Sequence, residues 1–206
     1  MNLKKISLLL AAFAIAAPAI RAEIVNITTD HNSLVLDAKK DGGLDFLYYG
    51  TRLTDAEAAA LRDAGIPALD AFPFYGTFPE HESAMAMTHA DGNMTMDMAV
   101  QGVTTAPDGK GTVTTVTMKD RFYPVTVALK YRTFPKDDII EMWTETTNNE
   151  KKNITLRQFA SMSLPVRYGD VWLQNYHGVW ANEARVNDEP LRPGMKVIKN
   201  LSLIHI

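Results

Sequence analysis

Three groups of side chains in this sequence have the types and spacing for chemistry. The first is Met85, Met87, His89, Met94, Met96 and Met98, arranged around Asp91-Gly92. Asp-Gly accepts the positive φ angles of a type I′ turn, so it signals a two-residue hairpin loop. A hairpin closed there pairs His89 with Met94, Met87 with Met96 and Met85 with Met98, and puts every one of these side chains on one face. Thioethers and an imidazole together are soft donors suited to Cu(I). The buried face of a hairpin gives the same stripe, with methionine as adaptable filler. The core reading is preferred, because alternation alone produces the stripe and a metal site needs only three or four ligands. His89 is then a strand-end histidine, and no metal or cofactor is expected. The second group is carboxylate pairs: Glu80 with Glu82, Asp137 with Asp138, Glu141 with Glu145. Sequence neighbours on a strand do not converge on one bond, so these read as loops and solvated faces. The chain also lacks a nucleophile elbow, an HExxH run and a Gly-rich phosphate loop, and no catalytic residue is assigned. The third group is aromatic: Tyr48, Tyr49, Trp172, Tyr176 and Trp180. Such rings stack on sugars or pack against a neighbouring domain, and packing is preferred.

The elements that must hold these groups read mostly as strands. Glu23 to Thr28 and Ser33 to Asp37 alternate about an Asp30-His31-Asn32 turn, and Gly42-Gly43 leads into a strand from Leu44 to Gly50. One helix is expected from Thr54 to Ala64. Thr54 suits the N-cap, Asp55 and Glu57 suit the first turn, and Gly65 ends it. Residues 66–83 carry too many Pro and aromatic residues for a free linker and are expected to pack as an ordered loop. Strands follow at Thr112 to Met118, Arg121 to Arg132 and Ile139 to Thr147. After a polar turn at Asn148 to Asn153, a long strand is expected from Ile154 to Val166. Long antiparallel strands with short polar turns argue for an all-β fold, a large two-layer antiparallel β-sandwich with one short helix.

Composition narrows the setting. Lys4 and Lys5, the apolar run Ile6 to Ala17, Pro18 and then Ala22 make residues 1–22 a secretory signal peptide cut before Glu23. The apolar run is short for a membrane span. The expected location is the bacterial periplasm or the exterior. With no Cys, neither a lipid-anchoring thiol nor a disulfide is available, so folding relies on the core. A net charge of −3 sets up no strong field for nucleic acid. Residues 23–200 make one domain's worth of chain. The last six residues, Leu201 to Ile206, resemble an in-frame translation of a transposon end used in sequencing libraries. Native sequence is therefore expected to stop near Asn200.

Several runs together carry a family resemblance. They are Leu47-Tyr48-Tyr49-Gly50, Pro73-Phe74-Tyr75-Gly76, Thr88-His89-Ala90-Asp91-Gly92-Asn93, Tyr123-Pro124 with Val127 to Tyr131, Asp138 to Trp143, and His177-Gly178-Val179-Trp180 with its Pro190-Leu191-Arg192-Pro193-Gly194 sequel. With these the chain resembles the N-terminal domain of family 36 glycoside hydrolases, the bacterial α-galactosidases. It departs from the family at Tyr48-Tyr49, where Tyr-Trp is expected, and in its methionine content. The resemblance implies a β-sandwich of the supersandwich kind, followed by a catalytic (β/α)₈ barrel and a small C-terminal β-domain. It implies retaining hydrolysis of terminal α-galactosides by two carboxylates about 5 Å apart. Both belong to barrel loops, so neither maps onto this chain. The implied partners are the barrel of the same parent chain, an α-galactoside oligosaccharide and further copies of the parent in a homo-oligomer. His177, Trp180, Tyr49 and Trp172 become candidates for the substrate rim or the domain interface. Strands that close the sandwich are expected to be missing. The rival reading is a stand-alone periplasmic β-sandwich that binds carbohydrate or, through its methionines, copper.

Overall fold

The computed structural model describes residues 23–77, 82–109, 111–166, 169–179, 182–192, 194 and 196–198. The expected signal peptide and the expected non-native tail lie outside these residues. The described chain falls into two compact units that divide between Pro165 and Val166.

In the first unit, alternation sets up the strands and burial pairs them into layers. Sheet A runs in the order β1 (Glu23–Thr28), β2 (Asn32–Ala38), β3 (Leu44–Thr51), β4 (Leu69–Asp70). Sheet B is the meander β6 (Met98–Asp108), β7 (Gly111–Asp120), β8 (Val125–Phe134), β9 (Ile139–Asn148). Every pairing within both sheets is antiparallel. The register places Val116 opposite Leu129 and Met118 opposite Val127. These side chains face Val25, Ile27, Leu34 and Leu36 of sheet A in one buried core, the expected sandwich. A third pair joins β5 (Met85–Thr88) to β10 (Thr155–Phe159).

The helix α1 (Asp55–Asp63) forms as its sequence predicts. Thr54 and Glu57 close a capping box, each side chain satisfying the other's backbone N–H. Gly65 follows at φ +65°, where a side chain would be strained. Ala58 packs on Val35 and Leu47, with Tyr48 and Leu61 at the margin. Tyr48 is thus half-buried against the helix.

The methionine hairpin does not form. β5 pairs with β10, placing Met85 opposite Phe159 and Met87 opposite Leu156. The aromatic loop holds the expected arms apart: Tyr75 N donates to Met85 O at 3.0 Å, and Met96 N donates to Tyr75 O at 3.0 Å. Gly92 does take positive φ, but Asp91 does not, so the turn is not type I′. The common burial read from the pattern does hold: Met85, Met87, Met96 and Met98 lie in one core cluster, while Thr95 between them is exposed.

Three further expectations need correction. The strand after Asn153 ends at Phe159 rather than running to Val166, since β10 has only the short β5 to pair with. Residues 121–124 are a turn, tied by the Asp120 carboxylate, which accepts the N–H of Phe122 at 2.8 Å and of Tyr123 at 2.9 Å. β6 has no counterpart in the sequence reading. Gly102 and Pro107 disguise it, and an edge strand tolerates both.

The second unit contains the hairpin β11 (Trp172–Val179) with β12 (Asn182–Pro190). Its register pairs Trp172 with Pro190, Tyr176 with Val186 and His177 with Arg185, then shifts before Val179 pairs with Asn182. Ala184 lies in the left-handed region at φ +57° beside that shift. Among the described residues no helix is long and apolar enough to cross a membrane.

Candidate functional site

The candidate residues divide between the two units. Alternation along β11 puts Trp172, Gln174 and Tyr176 on one face of the hairpin, opposite Pro190, Asp188 and Val186. Trp172 is 64% exposed and Tyr176 66%. Four residues apart on a strand, they sit roughly 13 Å from each other. His177 belongs to the other face with Leu173 and Asn175. There Asn187 Nδ2 donates to Asn175 Oδ1 at 3.0 Å and to Glu189 Oε1 at 3.3 Å. The same Glu189 pairs with Lys196. The hairpin therefore offers an open aromatic face and a polar, hydrogen-bonded face, and it separates His177 from Trp172. Trp180 lies outside the described residues. Tyr49 stands near the end of β3 in the first unit, opposite Leu34 and 52% exposed.

The carboxylates suggested by spacing are held by structural partners. Asp138, in the left-handed conformation that ends a 3₁₀ turn (Pro135–Asp137), accepts from Thr29 Oγ1 at 2.9 Å and from His31 N at 2.8 Å. It also meets the His31 ring at 2.7 Å. That ring contact holds the Asp138 carboxyl below the usual carboxylate range and raises His31 above its usual value. Glu141 accepts from Arg132 at 2.9 Å. Glu145 accepts from Lys130 and from Trp143 Nε1, both at 2.9 Å, and is lowered first by Lys130 and then by Trp143. Trp143 itself is covered by Lys130 and Arg132, 5.8 and 5.1 Å from its ring centre. Glu82 bonds Gln158, and Glu80 lies outside the described residues.

Four of the five methionines of the stripe are core, and Met94 is half-buried. Met85, Met87 and Met96 are fully buried and Met98 and Met118 nearly so, packed with Phe74, Val100 and Val125. Among the described residues no group of three or more His, Asp or Glu side chains gathers to hold a metal.

His89 stands just past the end of β5, as expected of a strand-end histidine. Its side chain is completely enclosed, and Nδ1 lies 2.7 Å from Glu150 Oε1, 61 residues away in sequence. The other Glu150 oxygen accepts Ala90 N at 3.0 Å. The imidazole stacks on Tyr123 with centroids 3.7 Å apart and planes 10° from parallel. Tyr123 OH donates to Asp91 Oδ2 at 2.8 Å and accepts from Asn93 Nδ2 at 2.9 Å. Asp91 is held below the usual carboxylate range first by the N–H of Asn93 and next by this hydroxyl. The run 88–93 is thus a knot that fastens the end of β5 to the turns before β8 and after β9. A buried His in the sequence hints at a partner, but nothing in the spacing points to Glu150 or Tyr123.

A groove of about 510 Å³ also runs along β1, between α1 and the β6–β7 hairpin. No motif signals it, because it arises where the layers end.

With this geometry in hand, the chain can be set beside known proteins. Residues 42–202 match the glycosyl hydrolase family 36 N-terminal domain. Over 89 residues the chain is 35% identical to alpha-galactosidase 2 of Hypocrea jecorina, which aligns 42% of this chain with 12% of that protein. It is 37% identical over 76 residues to alpha-galactosidase C of Emericella nidulans, aligning 36% of this chain with 10% of that one. Among solved structures, the alpha-galactosidase from Lactobacillus brevis superposes with a TM-score of 0.71 at 21% identity, over 87% of this chain and 29% of that chain. A family 36 alpha-galactosidase from Geobacillus stearothermophilus gives 0.72 at 18% identity, over 84% and 28%. The chain thus spans under a third of the length of these relatives. At such identities the superpositions speak for the sandwich fold.

Proposed function

This chain belongs to the glycosyl hydrolase family 36 N-terminal domain family, and from that premise we propose that it is the non-catalytic N-terminal domain of an exported α-galactosidase. The intact enzyme removes terminal α-galactosyl groups with retention, using two carboxylates on a (β/α)₈ barrel that follows this domain. The observation that carries the reading is the family match across residues 42–202. It is supported by described carboxylates that are committed to structural partners and by relatives far longer than this chain.

The domain's own work is structural. Its partners are the barrel of the same polypeptide, an α-galactoside oligosaccharide at the rim, and other copies of the enzyme in an oligomer. The exposed Trp172, the polar-face His177 and Tyr49 are the surface groups offered to barrel or substrate. Trp180 joins them on sequence grounds. The leader read from residues 1–22 directs the enzyme to the periplasm or the exterior. Copper binding is disfavoured by the burial of Met85, Met87, Met96 and Met98 in the sandwich core.

The test is hydrolysis of a chromogenic α-galactoside by this chain and by the intact enzyme, side by side. Activity in the intact enzyme alone is expected. Activity in neither discards the hydrolase reading. Activity in the present chain discards the non-catalytic one.

A further inference from the structure

Asp-Gly occurs at three places in this sequence: Asp41-Gly42, Asp91-Gly92 and Asp108-Gly109. The pair carries a latent reaction of its own backbone. Glycine has no side chain to shield its amide nitrogen, so that nitrogen can reach the aspartate Cγ. A bond forms between N and Cγ, the amide proton and the carboxyl hydroxyl leave together as water, and a cyclic succinimide closes. Water then reopens the ring. Entry at the side-chain carbonyl restores aspartate. Entry at the main-chain carbonyl leaves the chain running through Cγ as an isoaspartyl linkage. A water is lost and a water regained, and nothing is oxidised or reduced. The product keeps the parent's mass, with the Cβ methylene now part of its backbone.

Exposure does not separate the three sites, because Asp41, Asp91 and Asp108 all face solvent. Nor does the glycine amide separate the first two. Gly42 N donates to Lys39 O and Gly92 N to His89 O, each at 3.0 Å. The carboxylates differ. Asp91 Oδ1 accepts Asn93 N at 2.9 Å, and its Oδ2 accepts Tyr123 OH at 2.8 Å. Both oxygens are tied, and these bonds hold the group below the usual carboxylate range, in the ionised form that parts with an oxygen poorly. Asp108 Oδ2 accepts Arg132 Nε at 2.6 Å. The Asp41 carboxylate, by contrast, has no hydrogen bond or ion pair among the described residues; only its main-chain oxygen is engaged, by Arg121. Asp41 also stands in the left-handed region at φ +52°, which a residue with a Cβ adopts at some cost. Leaving that conformation relieves strain.

We propose that Asp41 is a site of spontaneous isomerisation to isoaspartate in the folded protein, selected by a fold that ties the carboxylates of Asp91 and Asp108 and leaves this one free. The change is not silent. The turn between β2 and β3 seats sheet A on the start of β6. Lys40 bridges to Val100, and Val100 N donates to Gly42 O at 2.8 Å. Val100 has no exposed surface. Lys39 N donates to Gly43 O at 3.2 Å across the same turn. An extra methylene between Asp41 and Gly42 displaces the carbonyl oxygens that Arg121 and Val100 reach. The isoaspartyl chain therefore loses the seating of the turn on β6, and the age of the protein becomes a variable of its stability.

Peptide mapping of the folded chain, aged for weeks in warm, mildly acidic buffer, tests the proposal. Isoaspartate is read from peptides of unchanged mass and shifted retention, and from methyl transfer by an isoaspartyl methyltransferase. It should form at Asp41 about tenfold or more faster than at Asp91 or Asp108, because those sites must first open their hydrogen bonds. In urea, where no carboxylate is held, the three rates should converge. Tyr123→Phe should speed the reaction at Asp91 and leave Asp41 as it was. Comparable rates at all three sites of the folded chain overturn the proposal. The folded order persisting in urea also overturns it, by giving the preference to neighbouring sequence. An unchanged Asp91 rate in Tyr123→Phe removes the carboxylate from the argument and overturns it too. The isomerised fraction, separated by chromatography, should unfold at a lower urea concentration than the fresh chain; equal midpoints refute the loss of the β6 contact.

Discussion

Glu150 lies on a turn, yet its replacement should cost as much as a core deletion. One carboxylate oxygen meets His89 Nδ1 at 2.7 Å, and the other accepts Ala90 N at 3.0 Å. The His89 side chain has no exposed surface and that of Glu150 has 7%. Glu150→Ala leaves the enclosed His89 Nδ1 and the half-buried Ala90 N–H without this acceptor, at up to about 1–3 kcal/mol each. Breaking a buried pair from one side costs about 3–5 kcal/mol, in line with that sum. Glu150→Gln retains one acceptor oxygen but turns an NH₂ toward the second donor, so it should lose roughly half as much. At about 2–4 °C per kcal/mol for a chain of this size, the alanine variant should melt ~6–20 °C below the parent. Urea unfolding followed by circular dichroism measures the loss directly. A double-mutant cycle with His89→Leu should give a coupling of at least ~1 kcal/mol. A Glu150→Ala protein within ~0.5 kcal/mol of the parent, or two effects that simply add, would refute the argument that this knot holds the turns together.

Other outcomes follow from the same fold. Gly111→Ala should destabilise by about 1–3 kcal/mol or more, because its Cβ would stand 1.8 Å from the Thr133 carbonyl oxygen; a urea midpoint equal to the parent's would contradict this. Met87→Ala should cost about 2–5 kcal/mol through the cavity it leaves, whereas Met87→Leu should cost under about 1.5 kcal/mol, and titration with Cu(I) should leave the stability of both unchanged. The contact of His31 with Asp138 raises the one group and lowers the other. The Asp138 share of stability is lost as pH falls through its depressed value, and the His31 share as pH rises through its raised value. Both are complete between about pH 4 and 6.5, so His31→Gln should flatten the stability profile on the alkaline side of that window.

The parts of the fold read correctly from sequence are those where local chemistry and burial agree. Thr54 and Glu57 mark the helix start because a capping box is made from neighbours. β8 shows clean alternation because one face is in the core and the other in water. The failures share a cause. The Met85–Met98 segment looks like a hairpin because the pattern cannot reveal that Tyr75, from another part of the chain, bonds to both arms. β6 was invisible because an edge strand near its tip needs neither alternation nor freedom from Pro. Of the candidate site, Tyr49 and Trp172 prove exposed, as aromatic residues in polar contexts suggest. That His177 stands on the opposite hairpin face from Trp172 follows from strand parity, once β11 is recognised as a strand. The His89 knot and the β1 groove depend on residues brought together from distant sequence, and no local signal encodes them.

The order in which the layers arise has a consequence for synthesis. The inner face of the first hairpin, with Val25, Ile27, Leu34 and Leu36, packs on side chains from Val116 to Tyr131. The Thr29–Asp138 bond that clips the two layers together spans 109 residues. Sheet B, by contrast, is a meander whose turns close locally, and its partners arrive in succession. At about 5–20 residues per second, the opening hairpin waits roughly 5–20 s on the ribosome with its apolar face uncovered. That delay leaves the hairpin from Glu23 to Ala38 waiting for its cover, and it makes sheet B the template on which the earlier strands finally settle.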